Sequence, residues 1–314
     1  MSLAYHRLFR ARSTYRWWKP LVAFVVGIGF YYALQIVYQW IVLLIVGSVG
    51  GAGARTELLK AWNHNQQDAS NPLVMLFTLG SLATMLPSVI IAVRILGLGS
   101  FGTLASVRGR IRWRWLARCI VPGLVYLAVT FGLNYAVPAS WQGESNSSGQ
   151  ATPLVPLLVS ILLILLFVPL QSAGEEFAFR GFGMQTFGSW FRWPVVGIVV
   201  PTVGFAFAHN YNAWGKLDVA ALGVSFAYLT WRTGGLEAGL VGHVLNNLLV
   251  FILAAPVVAT SQSDGSPAGA AITVISSAAY VLMVTWVARK HEPERVSPVD
   301  NPGATSVVSP KLAE

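Results

Sequence analysis

Seven residues in the second half of the chain have the types and spacings that acid–base chemistry needs: Glu175, Glu176 and Arg180, then Phe205 and His209, then His243 and Asn247. The first three lie in the run Gly174-Glu175-Glu176-Phe177-Ala178-Phe179-Arg180-Gly181, which continues directly from an apolar stretch beginning near Leu154. A charge at the centre of a membrane helix costs about 2.5 to 3.5 kcal/mol even on insertion scales, so three in six residues would cost roughly 7 to 10 kcal/mol if all were deep and unpaired. On a helix, Glu176 and Arg180 are four residues apart on one face, acid before base, and can neutralise each other. Glu175 is rotated by about 100° and has no such partner on its own helix. A carboxylate without an ion partner in a low-dielectric cavity is a candidate general base. If the run lay at the membrane surface instead, Arg180 alone would account for both glutamates.

Two histidines make a purely structural role harder to sustain. Phe205 and His209 are four apart in one apolar segment, and His243 and Asn247 are four apart in a later one, so each pair shares a helical face. Glu175 and His209 each lie about 15 or 16 residues from the connection near 189–193, roughly 22 to 24 Å along their helices, so the two can face each other across an antiparallel pair. His243 is only about nine residues, roughly 13 Å, into its segment, and tilt or a broken helix must close that difference. Peptide hydrolysis needs a base to activate water, a group to orient it and donors for the tetrahedral oxyanion, and Glu, two His and Asn can supply these. Other membrane-protease patterns are missing. The sequence has no HExxH helix and no Gly-x-Gly-Asp, and Gly223-Val224-Ser225-Phe226-Ala227 lacks the closing glycine of a nucleophile elbow.

These residues need elements to hold them, and the composition says which kind. The 314 residues are 55% hydrophobic and only 11% charged, with a mean hydropathy of +0.60; a water-facing domain carries roughly 25% charged residues. A cytosolic enzyme and a disordered chain are both excluded. Eight segments have the character of spanning helices, at about 20–46, 72–96, 115–137, 152–174, 194–210, 217–231, 235–255 and 270–288. The fifth and sixth are short, and one of them could be tilted or re-entrant. Assigning connections alternately to the two faces puts 18 of the 21 Lys and Arg on the side of the termini and only Arg55, Lys60 and Lys216 on the other. Both termini are therefore expected in the cytoplasm. The formal charge of +9 reflects this topology and gives no reason to expect a nucleic-acid partner. The expected organisation is an all-α, polytopic membrane protein: a basic N-terminus at 1–19, one helical membrane domain at 20–290, and a polar, disordered cytoplasmic tail at 291–314. Cys119, the single cysteine, excludes an internal disulfide and reads as a packing residue.

Taken in order on three separate segments, Glu175-Glu176-x-x-x-Arg180, Phe205-x-x-x-His209 and His243-x-x-x-Asn247 resemble the EExxxR, FxxxH and HxxxN/D motifs of the CPBP intramembrane proteases, a family comprising CAAX prenyl endopeptidases and the Abi or bacteriocin-processing proteins. The resemblance covers about residues 152–256. It implies an endopeptidase of the bacterial cell membrane, its site opening to the cytoplasm, acting on membrane-embedded or membrane-tethered proteins or peptides. Glu175 and His209 would activate water, His243 and Asn247 would form the oxyanion hole, and Glu176, Arg180 and Phe205 would support them. No cofactor is favoured; if zinc were bound, Glu175, His209 and His243 would be its ligands. A noncatalytic membrane scaffold or immunity protein, and an ion- or proton-coupled transporter using Glu175 and the histidines as a relay, are the competing readings.

Overall fold

The computed structural model describes residues 2–142, 147–259 and 264–297. The chain folds almost entirely into helices: α1 (Lys19–His64), α2 (Pro72–Ala83), α3 (Met85–Ile95), α4 (Phe101–Ala105), α5 (Trp113–Ala136), α6 (Leu154–Glu175), α7 (Met184–Trp190), α8 (Pro194–Phe207), α9 (Ala213–Thr233), α10 (Glu237–Ala254) and α11 (Pro267–His291). A π-helical stretch, Glu176–Gly183, joins α6 to α7 without a break. Two short antiparallel strands, β1 (Ser147–Ala151) and β2 (Val257–Ala259), pair the α5–α6 and α10–α11 connections.

Among the described residues six helical stretches are long and apolar enough to cross a membrane, not eight: Lys19–His64, Pro72–Ile95, Trp113–Ala136, Leu154–Trp190, Glu237–Ala254 and Pro267–His291. The fifth and sixth expected segments are helices, but of a different kind. α8 has only 14 residues, about 21 Å of the roughly 30 Å hydrocarbon core, and α9 carries Lys216, Asp218 and Arg232. The first segment is longer than expected; α1 runs on to His64 through a break at Gly51, whose φ of 75° is open to glycine and strained for other residues. The second is two helices in line. Pro87 cannot donate to the carbonyl of Ala83 and its ring crowds it, so the chain breaks at Thr84. That break receives α6: a Cβ on Gly174 would lie 3.2 Å from the Leu86 nitrogen.

At the end that carries the termini the chain closes on itself. A 3-10 helix, Tyr5–Ala11, packs beneath α7, with Arg10 Nε donating to the Ser189 carbonyl at 2.6 Å, His6 Nε2 3.2 Å from the Arg192 carbonyl, and the Tyr5 hydroxyl donating to the Leu104 carbonyl. Gly188 admits this contact, since a Cβ there would fall 1.9 Å from the His6 carbonyl oxygen. Arg112 enters α5 from below and forks onto Glu237 at the start of α10, with Nε–Oε1 2.8 Å and NH2–Oε2 2.7 Å. Its NH1 donates to the carbonyls of Thr233 and Glu294. Of the segment expected to be a disordered tail, 298–314 lie outside the described residues, whereas Ser297 N donates to the Leu3 carbonyl at 2.8 Å and Val296 bridges Ala4.

Two outcomes follow from this closed end. Glu237 is fully buried, and removing one partner of a buried ion pair strands the other, so Glu237→Ala is expected to lower stability by about 3 to 5 kcal/mol, measured by thermal unfolding of the detergent-solubilised protein. Burial holds His6 below the ordinary histidine value, against the pull of the Arg192 carbonyl. The unfolded chain therefore binds the proton more readily, and the contribution of His6 is present above about pH 6.5 and lost as pH falls below it. Between pH 7.5 and 5.5 the native protein should lose more of its melting temperature than His6→Gln.

Candidate active site

The Glu-Glu pair ends α6 and begins the π-helical stretch, where the winding changes from i→i+4 to i→i+5 bonding, a local geometry often found at functional positions. Glu175 (6% exposed), Glu176 (0%), Arg180 (1%) and His243 (5%) are all buried. Arg180 NH1 lies 3.0 Å from Glu176 Oε1, as the four-residue spacing predicts. The guanidinium also sits over the Phe205 ring, 4.1 Å from its centroid, so its face is covered by an aromatic quadrupole.

Glu175 is not alone, as its own helix suggested. His243, from α10, meets both carboxylates: Nδ1 is 2.8 Å from Glu176 Oε1 and Nε2 is 3.3 Å from Glu175 Oε2. The depth difference anticipated for His243 is closed because α10 starts inside the fold, on the Arg112–Glu237 pair, rather than at its surface. Stacking on Phe226, with ring centroids 5.7 Å apart and planes 26° from parallel, fixes the imidazole orientation. Two glycines let the charged groups come together. A Cβ on Gly239 would lie 2.8 Å from Glu176 Oε2, and one on Gly223 would lie 2.9 Å from Thr202 and 3.2 Å from Arg180 NH2.

His209 stands just beyond the C-terminus of α8, one ring away from this cluster. Phe205 separates the two histidines, 4.7 Å from His209 and 6.0 Å from His243 between centroids. His209 Nδ1 is 2.8 Å from the Phe205 carbonyl. A carbonyl can only accept, so Nδ1 carries a hydrogen and Nε2 is the nitrogen left to face the site. Tyr211 stacks on the other side of the ring at 5.8 Å.

Asn247, one turn after His243, donates through Nδ2 to Gln171 Oε1 at 3.2 Å and receives the Asn246 amide on Oδ1 at 3.1 Å. Asn246 in turn accepts from the Tyr126 hydroxyl at 2.6 Å. Gln171 and Ser172, both buried polar residues on α6, belong to this network, and neither is singled out by the motifs. Gln171 sits four residues before Glu175 in an otherwise apolar run, and that position is the signal that marks it. The other unforeseen charge is Glu237, whose partner Arg112 looks in the sequence like one more topological cation.

The arrangement thus brings two carboxylates, an imidazole and an arginine into mutual contact, with a second imidazole and an amide at the margins. Among the described residues no three His, Cys, Asp or Glu side chains gather as metal ligands. Both nitrogens of His243 face carboxylates instead.

Comparison with known proteins agrees with the position of this cluster. Residues 155–249, the stretch from α6 to α10 that holds all seven motif residues, match the family model described as type II CAAX prenyl endopeptidase Rce1-like. The uncharacterized protein YyaK of Bacillus subtilis (strain 168) is 25% identical over 242 residues, covering 74% of this chain and 76% of the relative. An alignment of that length necessarily extends beyond residues 155–249 into the N-terminal half, further than the motifs alone reach. No solved structure matches the chain. Residues 155–249 of this multi-pass membrane protein are thus similar to the type II CAAX prenyl endopeptidase Rce1-like family.

Proposed function

We propose that the chain is an intramembrane endopeptidase of the bacterial cell membrane, with both termini in the cytoplasm, that hydrolyses peptide bonds of membrane-embedded or membrane-tethered substrates. The observation that carries the reading is the meeting of Glu175, at the end of α6, with His243, on α10, in one buried cluster, with His209 beyond the end of α8 one aromatic ring away. A structural ion pair needs only Glu176 and Arg180. The additional carboxylate and second imidazole are left for chemistry.

In this reading a water molecule near Glu175 gives its proton to the Glu175 carboxylate, assisted by Nε2 of His209, and attacks the scissile carbonyl. The oxyanion that develops is met by the Asn247 amide and by His243 Nε2, which turns from Glu175 once that carboxylate has taken the proton, while Nδ1 stays on Glu176. The proton is then passed to the leaving amine. Glu176 and Arg180 fix the His243 ring, and Gln171 fixes the Asn247 amide. The reaction is written without a metal, because both nitrogens of His243 face carboxylates and Phe205 stands between the two imidazoles, so Glu175, His209 and His243 do not converge as the three protein ligands a catalytic zinc takes. The Lys and Arg split supports the orientation, and the Bacillus relative supports the membrane.

Glu175→Gln is expected to reduce cleavage by about 100- to 10,000-fold, read by comparing the N-termini of membrane proteins in cells carrying the native chain and the variant. A phenotype that survives the substitution, with no cleavage product depending on Glu175, sinks the protease reading and leaves a scaffold or immunity role. Asn247→Ala should lower kcat about 100- to 1,000-fold. Gly239→Ala, which forces the Glu176 carboxylate aside, should lower activity while the purified protein stays folded and loses about 1 to 3 kcal/mol of stability. Stoichiometric zinc in the purified native protein that disappears in His209→Ala would move the mechanism to the metal class.

A further inference from the structure

Helices α9 and α11 run side by side in the same direction. At one end the Asn212 side-chain amide donates to the Gly265 carbonyl at 2.8 Å, just before the two helices begin. At the other, Arg112 NH1 holds the carbonyls of Thr233 and Glu294 together, at 2.9 and 2.8 Å, where both have run out. Between these ties, toward the end that carries the termini, the helices part around a groove of about 540 Å³. Tyr228 lines it from α9, and Val281, Leu282, Thr285, Trp286 and Arg289 line it from α11. Val281 and Arg289 are eight residues apart, about 12 Å along the helix. Trp286 is 55% exposed, so the groove opens outward from the bundle, beside the kind of aromatic side chain that marks the membrane interface.

The cations at its terminal end lack acceptors. Arg289 closes the groove and is exposed, and Arg232 lies four residues past Tyr228, one turn further on the same face of α9. Arg232 NH1 is buried without a hydrogen-bond partner, as is Thr285 Oγ1 in the groove wall. Neither arginine makes an ion pair among the described residues. Arg112 takes Glu237, Arg108 and Arg112 share Glu294, and Glu292 pairs with neither. Lys290 is already engaged, its Nζ 3.7 Å from the centroid of the Trp286 ring. Both arginines stand in the last turn of their helices, where a cation complements the helix dipole. That accounts for their sign. It does not account for a fork of N–H donors left partly buried without an acceptor, nor for the apolar groove that ends beside it.

Two unpaired guanidinium groups at the interface, continuous with an apolar groove running into the bilayer, match the two halves of an anionic phospholipid. We infer that the α9–α11 groove binds a phospholipid of net negative headgroup from the leaflet on the side of the termini, with its phosphate on Arg232 and Arg289 and one acyl chain along Tyr228, Leu282 and Val281. A zwitterionic headgroup brings its own ammonium to the same two cations and is disfavoured there. The site is separate from the catalytic cluster but adjoins what holds it. Tyr280, next to Val281, donates its hydroxyl to the Ala238 carbonyl at 2.6 Å and meets Phe226 edge-on, and Phe226 is the ring on which His243 stacks. A lipid seated in the groove braces the α9–α11 contact behind that imidazole and stabilises the fold by mass action. None of this depends on the protease reading.

The test is native mass spectrometry of the detergent-solubilised full-length protein, titrated separately with phosphatidylglycerol and with phosphatidylcholine of identical chains. The native protein is expected to bind the first about 30-fold more tightly, about fivefold for each cation, and its melting temperature to rise further with phosphatidylglycerol than with phosphatidylcholine. Arg232→Gln/Arg289→Gln should lose the preference, and Arg232→Lys/Arg289→Lys, which keeps both charges, should retain most of it. Arg114→Gln/Arg118→Gln removes two exposed cations of α5 outside the groove and should change nothing. Val281→Trp fills the groove, spares both arginines and should abolish tight binding of either lipid. Equal binding of the two lipids by the native protein overturns the site. A preference that disappears in Arg114→Gln/Arg118→Gln overturns it as well, because the headgroup would then sit on α5. Undiminished binding by Val281→Trp shows the cations acting without the groove and has the same consequence. If the glutamine pair does not unfold cooperatively, the lysine pair and Val281→Trp decide the matter.

Discussion

One carboxylate oxygen, Glu176 Oε1, is shared by an arginine 3.0 Å away and a histidine 2.8 Å away at a fully buried position. A buried charge at membrane depth is tolerable only when it is paired and hydrogen-bonded, and here the pairing needs three elements at once. The π-helical stretch brings Glu176 and Arg180, α10 brings His243, and α8 brings the Phe205 face on which the guanidinium rests. Gly239 and Gly223 are small because any larger residue would push a charged atom out of this arrangement. Glu175 then inherits a neighbour, His243, that is already held by other contacts.

A second buried pair sets the height at which this happens. Arg112 and Glu237 fix the start of α10, and His243 lies six residues further on, about 9 Å along the helix. Arg112 also gathers the carbonyls of Thr233 and Glu294, so one guanidinium joins the entry to α5, the α9–α10 turn and the chain after α11. The closed end of the molecule and the position of the imidazole are thereby mechanically the same feature. At the other end, the early stop of α8 places His209 where helices no longer enclose it.

Much of the site could be read before any coordinates, because charged residues stand out in a chain with so few of them. Glu175, Glu176, Arg180, His209, His243 and Asn247 were legible as residues with a cost to explain, and the four-residue spacing of Glu176 and Arg180 predicted their contact. Gln171, Ser172 and Phe226 were not. Each is an ordinary residue type whose importance comes only from what lies across the helix interface. Arg112 was misleading, since a count of cytoplasmic cations treats a surface arginine and a buried one alike. Among the described residues six of the expected spans are matched by helices long and apolar enough to cross, for a related reason: hydropathy measures how apolar a segment is, and α8 is apolar but has only 14 residues.

Sequence by itself determined the solvent in which this protein folds, the all-helical architecture that a bilayer enforces, and which side chains pay for being inside it. Those properties depend on residue type and local spacing, which are written along the chain. Tertiary structure alone decided that His243 touches both glutamates and that Phe205 stands between the two histidines. Those depend on where helices start and stop relative to one another, a matter of a few ångströms set by the buried Arg112–Glu237 pair, the proline break before α3 and the short α8. No single helix encodes such offsets.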